Sequence, residues 1–106
     1  MANKYRARKT VVGGIVFDSG LESRRNAELQ LLAKAGVIRN LERQVTIPLI
    51  VEGVKVCKMI VDHCYFEGNS RVLEEVKSKP TKTPVYRLKV RLLKALFPGI
   101  DFREYP

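Results

Sequence analysis

Three residues near the middle of this 106-residue chain have types and spacing suited to chemistry: Asp62, Glu75 and Lys77. Asp62 sits in Met-Ile-Val-Asp-His-Cys-Tyr-Phe, an apolar β-branched run where an ionised carboxylate is costly unless paired or bound to a cation. Glu75-Val76-Lys77 closes the next extended segment. Side chains two apart on a strand share a face, so Glu75 and Lys77 project together while Val76 packs behind them. A turn at Glu67-Gly68-Asn69-Ser70 would bring Asp62 to that face. Two hard oxygen ligands beside one ammonium can hold Mg²⁺ (or Mn²⁺) against a phosphate and position a water next to it. The outline is that of a phosphodiester-cutting site. The plainer alternatives are a salt bridge for Asp62 and a solvated charged pair for Glu75 and Lys77.

Glu22 is a further candidate. Ser19 followed by Glu22 reads as a capping box opening a helix to about Ala35, ended by Gly36, and a carboxylate on that first turn can also face a metal across a sheet. Leu21, Leu32 and Ala35, flanked by Leu29 and Leu31, form its expected apolar side. Glu28 is expected in a buried ion pair, and Glu74 on the solvated side of its strand. His63, the only histidine, points away from Asp62 and is an unpromising ligand without a second histidine.

The elements that must position these residues follow in order. Thr10 to Phe17 reads as two short strands about Gly13-Gly14, and Ile38 to Val51 as extended, with Pro48 marking an edge or bulge. Glu52-Gly53 turns into Val54 to Phe66, and Arg71 to Lys77 follows the second turn. Ser78 to Pro84 is a polar, basic loop. Thr83 and Pro84 open a second helix whose expected apolar stripe is Val85, Leu88, Leu92 and Leu96, with Arg87, Arg91 and Lys94 off it. Pro98-Gly99 ends this helix, and Ile100 to Phe102 reads as a last edge strand. The expected fold is α/β (α+β), one domain with a mixed central sheet flanked by helices, in the order β-β-α-β-β-β-α-β.

Net charge is +9, and its distribution matters more than its size. Residues 1–9 form a basic arm without an acid, and from Lys77 to Lys94 inclusive there are seven Lys or Arg and no Asp or Glu. A basic body around a small acidic spot suits a polyanion held by its backbone. Arg24, Arg25, Lys79, Lys82 and Arg87 are the expected phosphate contacts. No apolar run reaches the roughly 18 residues of a membrane span, and the basic start leads into no apolar signal core, so a cytoplasmic protein is expected. Cys57 and Cys64 lie on one strand, roughly 23 Å apart and on opposite faces by parity, hence free thiols in a reducing compartment.

The succession Gly14-Ile15-Val16-Phe17-Asp18-Ser19, Glu22, Glu28-Leu29-Gln30-Leu31-Leu32, Gln44, Val61-Asp62, Glu74-Glu75-Val76-Lys77 and Tyr86-Arg87-Leu88-Lys89 resembles a family of small phage-borne proteins in the PD-(D/E)XK nuclease superfamily. The superfamily includes junction-resolving endonucleases and restriction enzymes. The resemblance runs from about Tyr5 to Phe102. It implies a restriction-endonuclease-like core with the active site where two strands diverge. Asp62 and Glu75 would be metal ligands, with the carbonyl of Val76; Lys77 would be the lysine of the motif, and Glu22 the first-helix glutamate. Val61 stands where the superfamily's proline would be, and His63 where an aromatic is expected. The implied activity is Mg²⁺-dependent cutting of DNA, branched DNA or a Holliday junction above all, by a homodimer in host cytoplasm. The rivals are a basic nucleic-acid-binding module that cuts nothing, and a degenerate nuclease subunit of a larger assembly.

Overall fold

The computed structural model describes residues 10–12, 15–17, 19–77 and 82–106. Its elements are β1 (Thr10–Val12), β2 (Ile15–Phe17), α1 (Gly20–Lys34), β3 (Arg39–Val51), β4 (Val54–Glu67), β5 (Ser70–Val76), α2 (Pro84–Leu96) and β6 (Asp101–Tyr105). β1 and β2 form a separate antiparallel ribbon, while the main sheet has the order β3-β4-β5-β6. Its first two pairings are antiparallel and the β5–β6 pairing is parallel, with α2 as the crossover. This is the expected mixed sheet with two helices. The Gly13-Gly14 turn, the basic arm and residues 78–81, including Lys79, lie outside the described residues.

Local chemistry explains the boundaries. Ser19 accepts a hydrogen bond from the Glu22 N–H at 3.1 Å, capping α1, and Thr83 does the same for Tyr86 N–H, with Pro84 in the first turn of α2. The β3–β4 hairpin turns through Glu52 and Gly53, both at positive φ, as a two-residue hairpin turn requires.

Adjacent β5 residues separate the core into two layers. Leu73 packs with Leu93 of α2, Met59 and Val61, whereas Val72 packs with Leu29 of α1, Ile38 and Tyr65. The helices therefore cover opposite faces of the sheet. Truncating buried Leu93 to Ala is expected to cost about 2–5 kcal/mol.

Three expected faces are corrected. On α2 the buried stripe runs through Tyr86, Val90, Leu93 and Leu96, while Val85 and Leu88 are exposed. On α1 the buried face is Glu22, Asn26 and Leu29, and Leu31 is exposed. Cys57 and Cys64 do not lie on opposite faces: both join the cluster under α2, and both are free.

The third correction goes with a change of face in both paired strands. Val45 pairs with Val61, and both pack on the α2 side. Arg43 pairs with His63, yet these two reach Glu22 and Asn26 of α1. Between the two pairs lie Gln44, with φ of 52°, and Asp62. A left-handed residue in a strand turns it over, so side chains two apart end on opposite faces. The paired strands change face where the candidate carboxylate sits.

Candidate active site

Beyond Asp62, β4 and β5 are joined by an ordinary ladder from His63–Glu74 to Glu67–Ser70. At Asp62 that ladder stops and side chains replace it. The Asp62 N–H donates to Glu75 Oε1 at 2.8 Å, and the Val76 N–H donates to Asp62 Oδ2 at 2.8 Å. Each carboxylate thus satisfies a main-chain donor of the opposite strand, which fixes both groups where the strands part. β5 is held from the other side by β6, through the parallel pairing and the Lys77 N–H donating to Tyr105 O at 3.0 Å.

The two carboxylates are close and poorly solvated. Glu75 is 5% exposed. Burial, then the charge of Asp62, pushes its carboxyl up to about 8, against hydrogen bonding from the Asp62 N–H and the pull of Lys77. Burial likewise raises Asp62 to about 6, with Glu22 adding to the rise and the Val76 N–H, Lys77 and Gln44 opposing it. Such raised values mark anionic groups that lack full compensation, an arrangement concentrated at functional sites.

Lys77 stands on the same side as Glu75, as its spacing predicts. Both line a cleft of about 250 Å³ with Met59, Thr83, Tyr86 and Lys89. The Lys77 ammonium lies 4.9 Å from the centre of the Tyr86 ring. Tyr86 is anchored by its hydroxyl, which donates to Glu104 at 2.7 Å; burial and Glu104 raise its titration far above neutrality, so it stays a phenol.

Glu22 enters from α1. Its carboxylate turns to the sheet, where Oε1 accepts from Arg43 Nη2 at 3.3 Å and Gln44 Nε2 at 3.0 Å. Gln44 Nε2 also donates to Asp62 Oδ1 at 3.4 Å. Glu22 therefore stands one amide away from Asp62. Among the described residues no three His, Cys, Asp or Glu side chains form a ready-made metal cage. The donor set nonetheless fits Mg²⁺, which is commonly held by one or two carboxylates with water completing its shell. Here the pair is Asp62 and Glu75, with Glu22 behind the amide, and Val76 contributes its N–H to Asp62.

The expected phosphate contacts divide. Arg24 and Arg87 are exposed. Lys82 pairs with Glu104 at 3.4 Å beside a second cleft lined by Tyr86, Arg87 and Arg91. Arg25 is a correction: its guanidinium is bound to buried Glu74 at 2.8 Å and lies 4.2 Å over the Tyr105 ring, so it serves the fold. Glu74 is correspondingly buried at 1% exposure rather than solvated, and Glu28, expected in a buried pair, is exposed at the rim of that cluster. His63 is buried against Asn26, and burial with the charges of Arg43 and Arg25 lowers its titration to about 4, so it remains neutral.

A family model described as "Protein of unknown function (DUF1064)" matches residues 2–103. The chain belongs to the DUF1064 family. No curated protein and no solved structure matches it. Two further residues shape the site of this DUF1064 protein, Gln44 and Tyr86, both within the resembling succession but given no catalytic or metal role from it. Gln44 has no signature of its own beyond lying opposite Asp62 in the hairpin register. Tyr86 is the third residue of a Thr-Pro-capped helix, a position that can face the strand end preceding the loop.

Proposed function

We propose that this protein is a divalent-metal-dependent endonuclease that hydrolyses phosphodiester bonds in DNA. The observation that carries the reading is the meeting of Asp62 and Glu75 where β4 and β5 part, with Lys77 lining the same cleft as Glu75. Two under-compensated carboxylates beside an ammonium make poor structural glue and a good cation site. The strand divergence and the mixed sheet between two helices also support a restriction-endonuclease-like core of the PD-(D/E)XK kind.

A bound Mg²⁺ would polarise the scissile phosphate and make a nearby water more acidic. The chain's own groups do the rest. Asp62 and Glu75 supply the negative charge that concentrates a cation at the strand ends. The Val76 and Asp62 N–H groups each hold one carboxylate oxygen, Asp62 Oδ2 and Glu75 Oε1, and so fix the orientation of both groups. Lys77, held against Tyr86, orients the attacking water and offsets charge growing on the phosphate oxygens. In-line attack would leave a 5′-phosphate. Exposed Arg24 and Arg87, with Lys79 and Lys82, would track the flanking backbone. A symmetric dimer would present two such clefts to two strands, as cutting branched DNA requires.

The test is a gel of labelled duplex, single strand, flap and four-way junction with Mg²⁺, Mn²⁺ or EDTA. Cutting with metal that stops with EDTA and with Asp62→Asn supports the reading. Binding without cutting in every metal would leave a basic nucleic-acid-binding module instead, and cutting that needs an added partner would point to a subunit of a larger assembly.

A further inference from the structure

Gln44 occupies a backbone conformation that side-chain-bearing residues rarely adopt, at φ of 52° in the middle of a strand. Glycine or asparagine would fill that position with less strain. What glutamine adds is reach. Its single amide nitrogen carries two hydrogens, and two carboxylates accept from it: Glu22 at 3.0 Å and Asp62 at 3.4 Å. One belongs to α1 and the other to β4, so this neutral group bridges the covering helix and the strand end where the sheet turns over. Arg43 holds the same Glu22 oxygen at 3.3 Å from the α1 side. Two donors thus share the Glu22 carboxylate, and one of them, Gln44, also reaches Asp62.

We infer that Gln44 is a positioning residue that aligns Glu22 with the Asp62–Glu75 pair, so that Glu22 takes part in holding a divalent cation. The inference rests on the endonuclease reading and adds a residue that the motif does not contain. An amide suits the task because it joins two like charges without cancelling either, leaving both for a cation. A lysine or arginine there would neutralise the site. Removing the amide leaves Glu22 with Arg43, turned away from the cleft.

The experiment measures Mn²⁺ uptake by electron paramagnetic resonance on the full chain, alongside its thermal melting. Gln44→Gly relieves the backbone and deletes the bridge. Gln44→Asn tolerates the backbone and carries the same amide one methylene short. Both variants should melt within a few degrees of the parent and bind Mn²⁺ about 10–100-fold more weakly, the usual loss when a group orienting metal ligands is removed. Glu22→Gln should lose a similar factor, and combining it with Gln44→Gly should add little, because one residue acts through the other. Unchanged uptake in both Gln44 variants, or fully multiplied losses in the double variant, overturns the role of Gln44 while leaving the endonuclease reading intact. No Mn²⁺ uptake by the parent overturns both.

Discussion

Glu74 and Glu75 are neighbours on one strand, both almost wholly buried, and they meet opposite surroundings. Glu74 faces α1, where the Arg25 guanidinium meets it at 2.8 Å. Glu75 faces α2 and meets another carboxylate across the strand gap, with an ammonium alongside. The first arrangement compensates a charge where it stands and so serves stability. The second gathers like charges and leaves them under-compensated, which costs stability unless a cation arrives. Burial alone does not distinguish a structural acid from a functional one; the sign of its neighbour does.

Substitutions on the two faces test that contrast. The largest effect is expected on chemistry: Asp62→Asn should reduce cutting by roughly 10³-fold, about what removal of a key electrostatic group costs. DNA binding should be kept or tightened in the same gel. Next, Arg25→Ala strands a buried charge and should cost about 3–5 kcal/mol in urea denaturation, while the cutting rate per folded molecule is unchanged. An equal loss of rate would mean that the two faces are not separate.

A third effect is smaller and runs the other way. The Glu75 carboxyl binds its proton more tightly in the folded chain, so between the usual carboxyl value of 4.5 and about 8 the folded state carries the extra proton, and above pH 6.5 no opposing change at His63 masks it. In EDTA, stability should therefore fall as pH rises through that window, with a slope on the order of 1 kcal/mol per pH unit. His63 acts oppositely, since its folded value is depressed to about 4. Its contribution is complete above pH 6.5 and is lost as pH falls towards 4. Glu75→Gln should flatten the upper window and raise stability at pH 8, whereas Glu74→Gln should lower stability at both pH values. The smallest effect is at the rim: Arg87→Ala should lower the slope of log affinity against log salt by about 1, and Arg25→Ala should not change it.

The sheet was largely legible because its signals are local. The β-branched runs of β3 to β5 are separated by Glu52-Gly53 and Gly68-Asn69, and the helices open on Ser19 and on Thr83-Pro84. Glu75 and Lys77 were legible from their two-residue spacing. Faces were harder. A change of face in the paired strands at Gln44 and Asp62 leaves no mark in the sequence, so Cys57 and Cys64 fell on the wrong sides. The buried face of α1 is half polar, Glu22 and Asn26 preceding Leu29, and an apolar-stripe argument cannot find it. The Arg25–Glu74 pair joins residues 49 apart, a contact only the assembled fold creates.

The parallel strand β6 pins Lys77 and anchors Tyr86 through Glu104, although it is the last element in chain order. During synthesis the acidic pair, the lysine and the covering helix all leave the ribosome before the piece that locks them together. A nascent chain ending short of residue 101 would carry every reactive group of the cleft yet be unable to assemble it.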